Sequence, residues 1–142
     1  MASFYMQWHG AFGLRKIAKK CRFFSQILIV ELEQLGYKLK TKNESRFDTV
    51  AIDAVASGFS SADYLQAEFH KHDINIRKVD GAIVSISFDE TSTLYDLDML
   101  ISIFRAMKKR SYSVEISDEF SYYEKFTYET LPESLKRKTK FL

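Results

Sequence analysis

The stretch 10–36, GAFGLRKIAKKCRFFSQILIVELEQLG, constrains the fold more than any other part of the chain. Leu14, Ile17, Ala18, Cys21, Phe24, Leu28, Leu32 and Leu35 recur at three- and four-residue steps, so one side of a helix is apolar. Phe23, Ile27, Ile29 and Val30 widen the stripe in the second half, which should be nearly enclosed. The first half carries Arg15, Lys16, Lys19, Lys20 and Arg22 and should stay wet on one side. Gly36 stands where a helix stops.

The segments beyond Gly36 alternate strand and helix and can pack against that apolar side. Residues 37–41 suit a short strand and 42–45, KNES, a turn. In FDTVAIDAV (47–55), Val50 and Ile52 alternate with Thr49, Ala51 and Asp53, the two-residue period of a strand ended by Gly58. Ser60 or Ser61 can cap a second helix running to about His72, with Leu65 and Phe69 on one side. INIRKV (74–79), Asp80-Gly81 and AIVSISF (82–88) read as a β-hairpin, for which Asp-Gly predicts a type I′ turn. Val84, Ile86 and Phe88 alternate with Ser85 and Ser87, giving the sheet one apolar and one polar face. After DETST (89–93), Leu94, Leu97, Ile101 and Phe104 mark a third helix, with Asp96 and Asp98 near its start. The pattern decays from Arg105 onward. The expectation is an α+β fold: a small, mainly antiparallel sheet with helices on one face.

Length and composition narrow the class. At 142 residues the chain can bury a core without staples, and its single cysteine rules out an internal disulfide framework and suits a reducing compartment. No apolar run approaches the roughly 20 residues that span a bilayer. The net charge of +2 argues for neither nucleic acid nor membrane, yet it is unevenly spread. Residues 1–30 hold five bases and no acid, while 111–131 hold five acids against Lys125. An acid-free basic start is also what a transit peptide looks like.

Catalytic constellations are hard to find. The five glycines form neither GxGxxG nor GxxxxGK[ST], so a nucleotide or cofactor-phosphate loop is not expected. His70 and His72 diverge on a helix and read as exposed end residues; His9 and Cys21 complete the possible metal ligands without a four-apart pair. Cys21 falls on the apolar stripe and reads as a packed small side chain, a nucleophilic role needing an electropositive, partly open site. The basic helix face could hold nucleic acid or anionic lipid, but the sheet lacks the aromatic pattern of an RNA platform. The aromatic, acidic run 112–130 suits covering an apolar surface.

One family fits these pieces in order. FYMQWHGAFGLRKIAKK (4–20), LEQLGYKL (32–39), FDTVAI (47–52), INIRKVDGAIVSISFDET (74–91), YDLDMLISIF (95–104) and LPESLKRKTKFL (131–142) resemble the P-protein of the glycine cleavage system, a glycine dehydrogenase (decarboxylating). The resemblance is strong over 3–104, weak in the tail, and lacking between Arg105 and Leu131. It implies the small C-terminal domain of an aminotransferase-type fold at the end of the family's N-terminal half, the half without the pyridoxal phosphate. Residues 1–9 would end a connecting helix, 10–104 form the domain, and 105–142 form a variable segment and a basic linker. No cofactor lysine or phosphate cradle matches, so the chain should bind no pyridoxal phosphate and be inactive alone. The start, running in register with an enzyme domain, is then no removable presequence.

Partners implied by the resemblance are the remainder of the P-protein or a second copy, with lipoylated H-protein reached through the whole enzyme, possible self-association, and neither membrane nor nucleic acid. The implied location is the mitochondrial matrix in a eukaryote and the cytoplasm in a bacterium. Six residues at element ends are interface candidates: His9, Gly10, Arg77, Asp89, Glu90 and Thr91. The rival reading is a small regulatory or binding module that uses the basic helix face, with nucleic acid as a candidate ligand.

Overall fold

The structure is a computed structural model and describes residues 1–41, 46–109 and 133–139. Helix α1 (Ala2–Gln34) bends at Gly10, whose φ of 59° and ψ of −179° leave the helical region. Glycine alone takes that combination of φ and ψ without strain. Beyond the bend, fully buried residues begin at Cys21 and dominate to Leu32, so the wetter first half and more enclosed second half match the sequence pattern. Val30 is the exception: it is largely exposed, because two residues past Leu28 a helix has turned about 200°. At the C-terminus, Gly36 (φ 83°) donates to the Glu33 carbonyl at 3.0 Å, and Tyr37 donates to Leu32 at 2.9 Å. That double bond pattern closes the helix and sends the chain into the sheet.

Strands β1 (Lys38–Leu39), β2 (Thr49–Asp53), β3 (Arg77–Lys78) and β4 (Ile83–Ser87) form one sheet in the order β1-β2-β4-β3, antiparallel throughout. Val50 pairs with Ile86 and Ile52 with Val84. These four residues face a core completed by Phe24, Leu28 and Leu32 of α1, Leu65 and Phe69 of α2 (Ala62–His70), and Leu97, Ile101 and Phe104 of α3 (Leu94–Met107). All three helices therefore share one sheet face. The other face carries Thr49, Ala51, Ser85 and Ser87, with the Thr49 and Ser87 hydroxyls 2.7 Å apart. The fold is the expected small α+β domain.

Local chemistry places the helices. The Ser61 hydroxyl accepts the Tyr64 N–H to start α2. Thr93 and Asp96 make a reciprocal capping box that starts α3. The hairpin forms, but not through a type I′ turn, since neither Asp80 nor Gly81 has a positive φ. Instead the Asp80 carboxylate accepts the N–H groups of Ala82 (2.7 Å) and Ile83 (2.8 Å), and the Gly81 carbonyl accepts that of Ala62 at 2.9 Å. Asp80's side chain supplies the turn that left-handed backbone would otherwise have made. The expected 42–45 turn and the 112–130 run lie outside the described residues.

Candidate docking site at the helix bend

Tyr5 links the bend of α1, where His9 and Gly10 lie, to the loop that carries Asp89 and Glu90, and Thr91 fixes that loop. On the 2–9 segment, Tyr5 and His9 lie one turn apart and their rings contact at 4.4 Å. Gly13 makes room for this arrangement, since a Cβ there would sit 3.1 Å from that of His9. The Tyr5 hydroxyl lies near Glu90: partial desolvation first, then hydrogen-bonding and charge interaction with Glu90, with Cys21 and Asp89 adding, weaken its acidity. Lys20 donates from Nζ to the Glu90 carbonyl at 3.0 Å. The loop before α3 is thus tied to α1 beyond the bend, with Tyr5 of the first limb near it.

Asp89 holds that loop in shape. Its Oδ1 accepts from the Thr91 hydroxyl (2.7 Å), the Thr91 N–H (2.9 Å) and the Ser92 N–H (3.0 Å). The Thr91 hydroxyl, with the backbone donors behind it, keeps the Asp89 carboxyl below its usual range. A carboxylate with a lowered folded-state pKa stabilises the fold above its ordinary value, near pH 4, and loses that contribution as the pH falls through the lower one. The melting temperature of Asp89→Asn should therefore lie below that of the parent at pH 6, and the gap should close toward pH 2. A gap independent of pH would show that the carboxylate charge is not what matters.

Arg77 does not join this cluster. It is exposed on edge strand β3, in register with Ser85 on the polar face of the sheet, while Asp89 lies past the end of β4. Tyr5, Gly13 and Lys20 do join, and sequence reasoning missed them. The four-residue spacing of Tyr5 and His9 was the available signal. The other face of the 2–9 segment is bare: Phe4 and Trp8, one turn apart, are 76% and 86% exposed, and Phe12 past the bend is 78% exposed.

Other candidate chemistry is absorbed by packing. Cys21 is buried, and burial, then the Asp48 charge, pushes its thiol pKa up, so it lacks nucleophile character. His70 and His72 are exposed beside the end of α2, and His70 Nε2 lies 3.2 Å from Asn75 Oδ1. Among the described residues no three His, Cys, Asp or Glu side chains converge to hold a metal, and no helix is long and apolar enough to cross a membrane. On the basic half of α1, Arg15 and Lys16 are exposed, and Lys20 donates to the Glu90 backbone carbonyl.

Residues 1–104, covering both limbs of α1, the sheet, α2 and most of α3, match the family model for the glycine cleavage system P-protein. The chain belongs to this family. It is 37% identical over 144 residues to a glycine dehydrogenase (decarboxylating) of Vibrio campbellii, matching all of this chain and 14% of that protein. A Bordetella avium glycine dehydrogenase (decarboxylating) is 41% identical over 106 residues, 75% of this chain and 10% of its own length. A Schizosaccharomyces pombe relative, whose name assigns it to the mitochondrion, is 34% identical over 149 residues, again the whole chain and 14% of the relative. The chain thus spans about a seventh of the length of the curated relatives it matches from end to end.

Pyridoxal phosphate, the cofactor that the resemblance to the P-protein family implies, does not fit the described residues. The starts of α2 and α3 are capped by their own side chains, Ser61 and Thr93, and so are not open to a phosphate. The left-handed glycines are dispersed at the α1 bend, the α1 terminus and the turn after β2. Lys108, a lysine set among aromatic rings, is committed elsewhere: its Nζ donates to the Ser57 carbonyl at 2.6 Å and lies over Tyr37 and Phe59.

Proposed function

We propose that this domain serves the P-protein family as a structural and docking module, with no pyridoxal phosphate site of its own and no glycine decarboxylation alone. The observation that carries this reading is the end-to-end match of the chain to about a seventh of much longer glycine dehydrogenases. The exposed Phe4, Trp8 and Phe12 support it, because bare aromatics beside a well-packed core mark surfaces that another polypeptide covers. The partner is the remainder of a P-protein or a second P-protein chain. His9, Gly10, Asp89, Glu90 and Thr91 shape the bend that presents these aromatics, and Arg77 offers a second contact point on the polar sheet face. Lipoylated H-protein meets the module only through the whole enzyme. Its setting is the mitochondrial matrix in a eukaryote and the cytoplasm in a bacterium.

The test supplies the purified chain with glycine, pyridoxal phosphate and lipoylated H-protein and measures exchange of labelled CO₂ into glycine. No exchange above the protein-free rate is expected. Exchange that scales with chain concentration would overturn the reading.

A further inference from the structure

Among the described residues, the buried polar groups include three guanidiniums, Arg22, Arg46 and Arg105, and one carboxylate, Glu31. That carboxylate is taken: its Oε2 accepts from Arg105 Nη2 at 2.6 Å. Among the described residues Arg46 has no counterpart of this kind. It is 6% exposed, and its Nε and Nη1 are buried without an acceptor.

The surroundings of Arg46 are set by α1. Arg22 donates from Nη1 to the Arg46 carbonyl at 2.6 Å, and Ser25 Oγ donates to the Phe47 carbonyl at 2.8 Å. These bonds lash 46–47 to one turn of the helix. Burial first, then the Arg22 charge, depress the Arg46 pKa; the exposed Glu33 acts in the opposite sense but forms no ion pair with it among the described residues. Gln26 lies between Arg22 and Glu33 along the helix, and its buried amide oxygen has no donor. A lysine in such a place could shed its proton, whereas a guanidinium keeps its charge. Buried donors without acceptors are costly, and a guanidinium's natural complement is a carboxylate or phosphate oxygen.

We propose that Arg46 and Gln26, in the positive field of Arg22, form a binding site for a small phosphate-class oxyanion. Hydrogen phosphate answers both needs: its oxygens accept from Arg46, and its remaining O–H donates to Gln26. Acetate answers only the first, so it should bind more weakly.

The test is thermal unfolding of the full chain in sodium phosphate against sodium chloride and acetate at matched ionic strength. A saturable rise of about 4 °C at ten times the half-saturating phosphate concentration is expected, smaller in acetate and lost in Arg46→Gln. An equal rise in chloride, or in Arg46→Gln, would reduce the effect to general salting and overturn the proposal. Should Arg46→Gln fail to fold, the Arg46 Nε–H resonance of the ¹⁵N-labelled parent decides. Its saturable movement with phosphate alone supports the site, and a stationary peak refutes it.

Discussion

Replacing Glu31 by glutamine is expected to cost the fold about 3 kcal/mol, toward the lower end of what breaking a buried ion pair costs. Glu31 on α1 and Arg105 on α3 join at 2.6 Å, with both side chains about a tenth exposed. Glutamine nearly preserves volume, so packing is kept and the loss reports charge. Arg105 keeps its burial while the carboxylate that faces it disappears. The exposed pair of Lys71 with Glu68 is the contrast, as such pairs contribute about 0–1 kcal/mol. Urea unfolding of Glu31→Gln should show a lower midpoint with an unchanged slope. The double variant Glu31→Leu with Arg105→Met should recover much of the loss. A cost under about 1 kcal/mol for Glu31→Gln would mean that water already shields this pair.

Truncating Phe104 to alanine is the larger perturbation, about 4 kcal/mol. Its ring is fully buried and meets Phe69 at 4.8 Å and Tyr37 at 5.0 Å, both edge-on. Its carbonyl also accepts the buried Tyr37 hydroxyl at 2.9 Å. Removing the ring leaves a cavity where α2, α3 and the end of α1 converge, and those rings cannot collapse into it together. For a domain with a typical stability of about 5–15 kcal/mol, that loss brings unfolding within reach of moderate warming. The comparison is Phe12→Ala, which removes a ring that is 78% exposed and should change the midpoint little. If both variants melt alike, the position of Phe104 in the core is wrong.

Phe104 and Glu31 differ in how far sequence could reveal them. Phe104 was legible, because a helical stripe of Leu94, Leu97, Ile101 and Phe104 repeats every three to four residues and repetition implies a buried side. The same holds for Val50 and Ile52 at strand spacing, and for Gly36 at the end of a helix. Glu31 and Arg105 were not legible. They are 74 residues apart, and nothing local distinguishes a buried acid from a solvated one. Val30 shows the complementary error, since apolar character alone does not fix which side of a helix a residue takes. At Asp80-Gly81 the dipeptide signalled a reversal correctly, but a side-chain acceptor replaced the expected left-handed backbone.

The candidate docking site divides the same way. Sequence order and family likeness drew attention to His9, Gly10 and the 89–91 loop. The bend at Gly10 brought Tyr5 within reach of Glu90, and no spacing rule links residues 85 apart in the chain. Arg77 lay in the same matching string as Asp89 yet stands apart, because a strand carries its residues about 3.3 Å further with every step. By itself, then, the sequence determined the elements, their order, the apolar stripes and the family, all of which are written in local periodicity and in motif order. Tertiary structure alone decided which charges are buried, which partners they have, and which aromatics stay bare. Those outcomes depend on contacts between residues far apart in sequence, and on the dielectric each side chain meets only after the chain has folded.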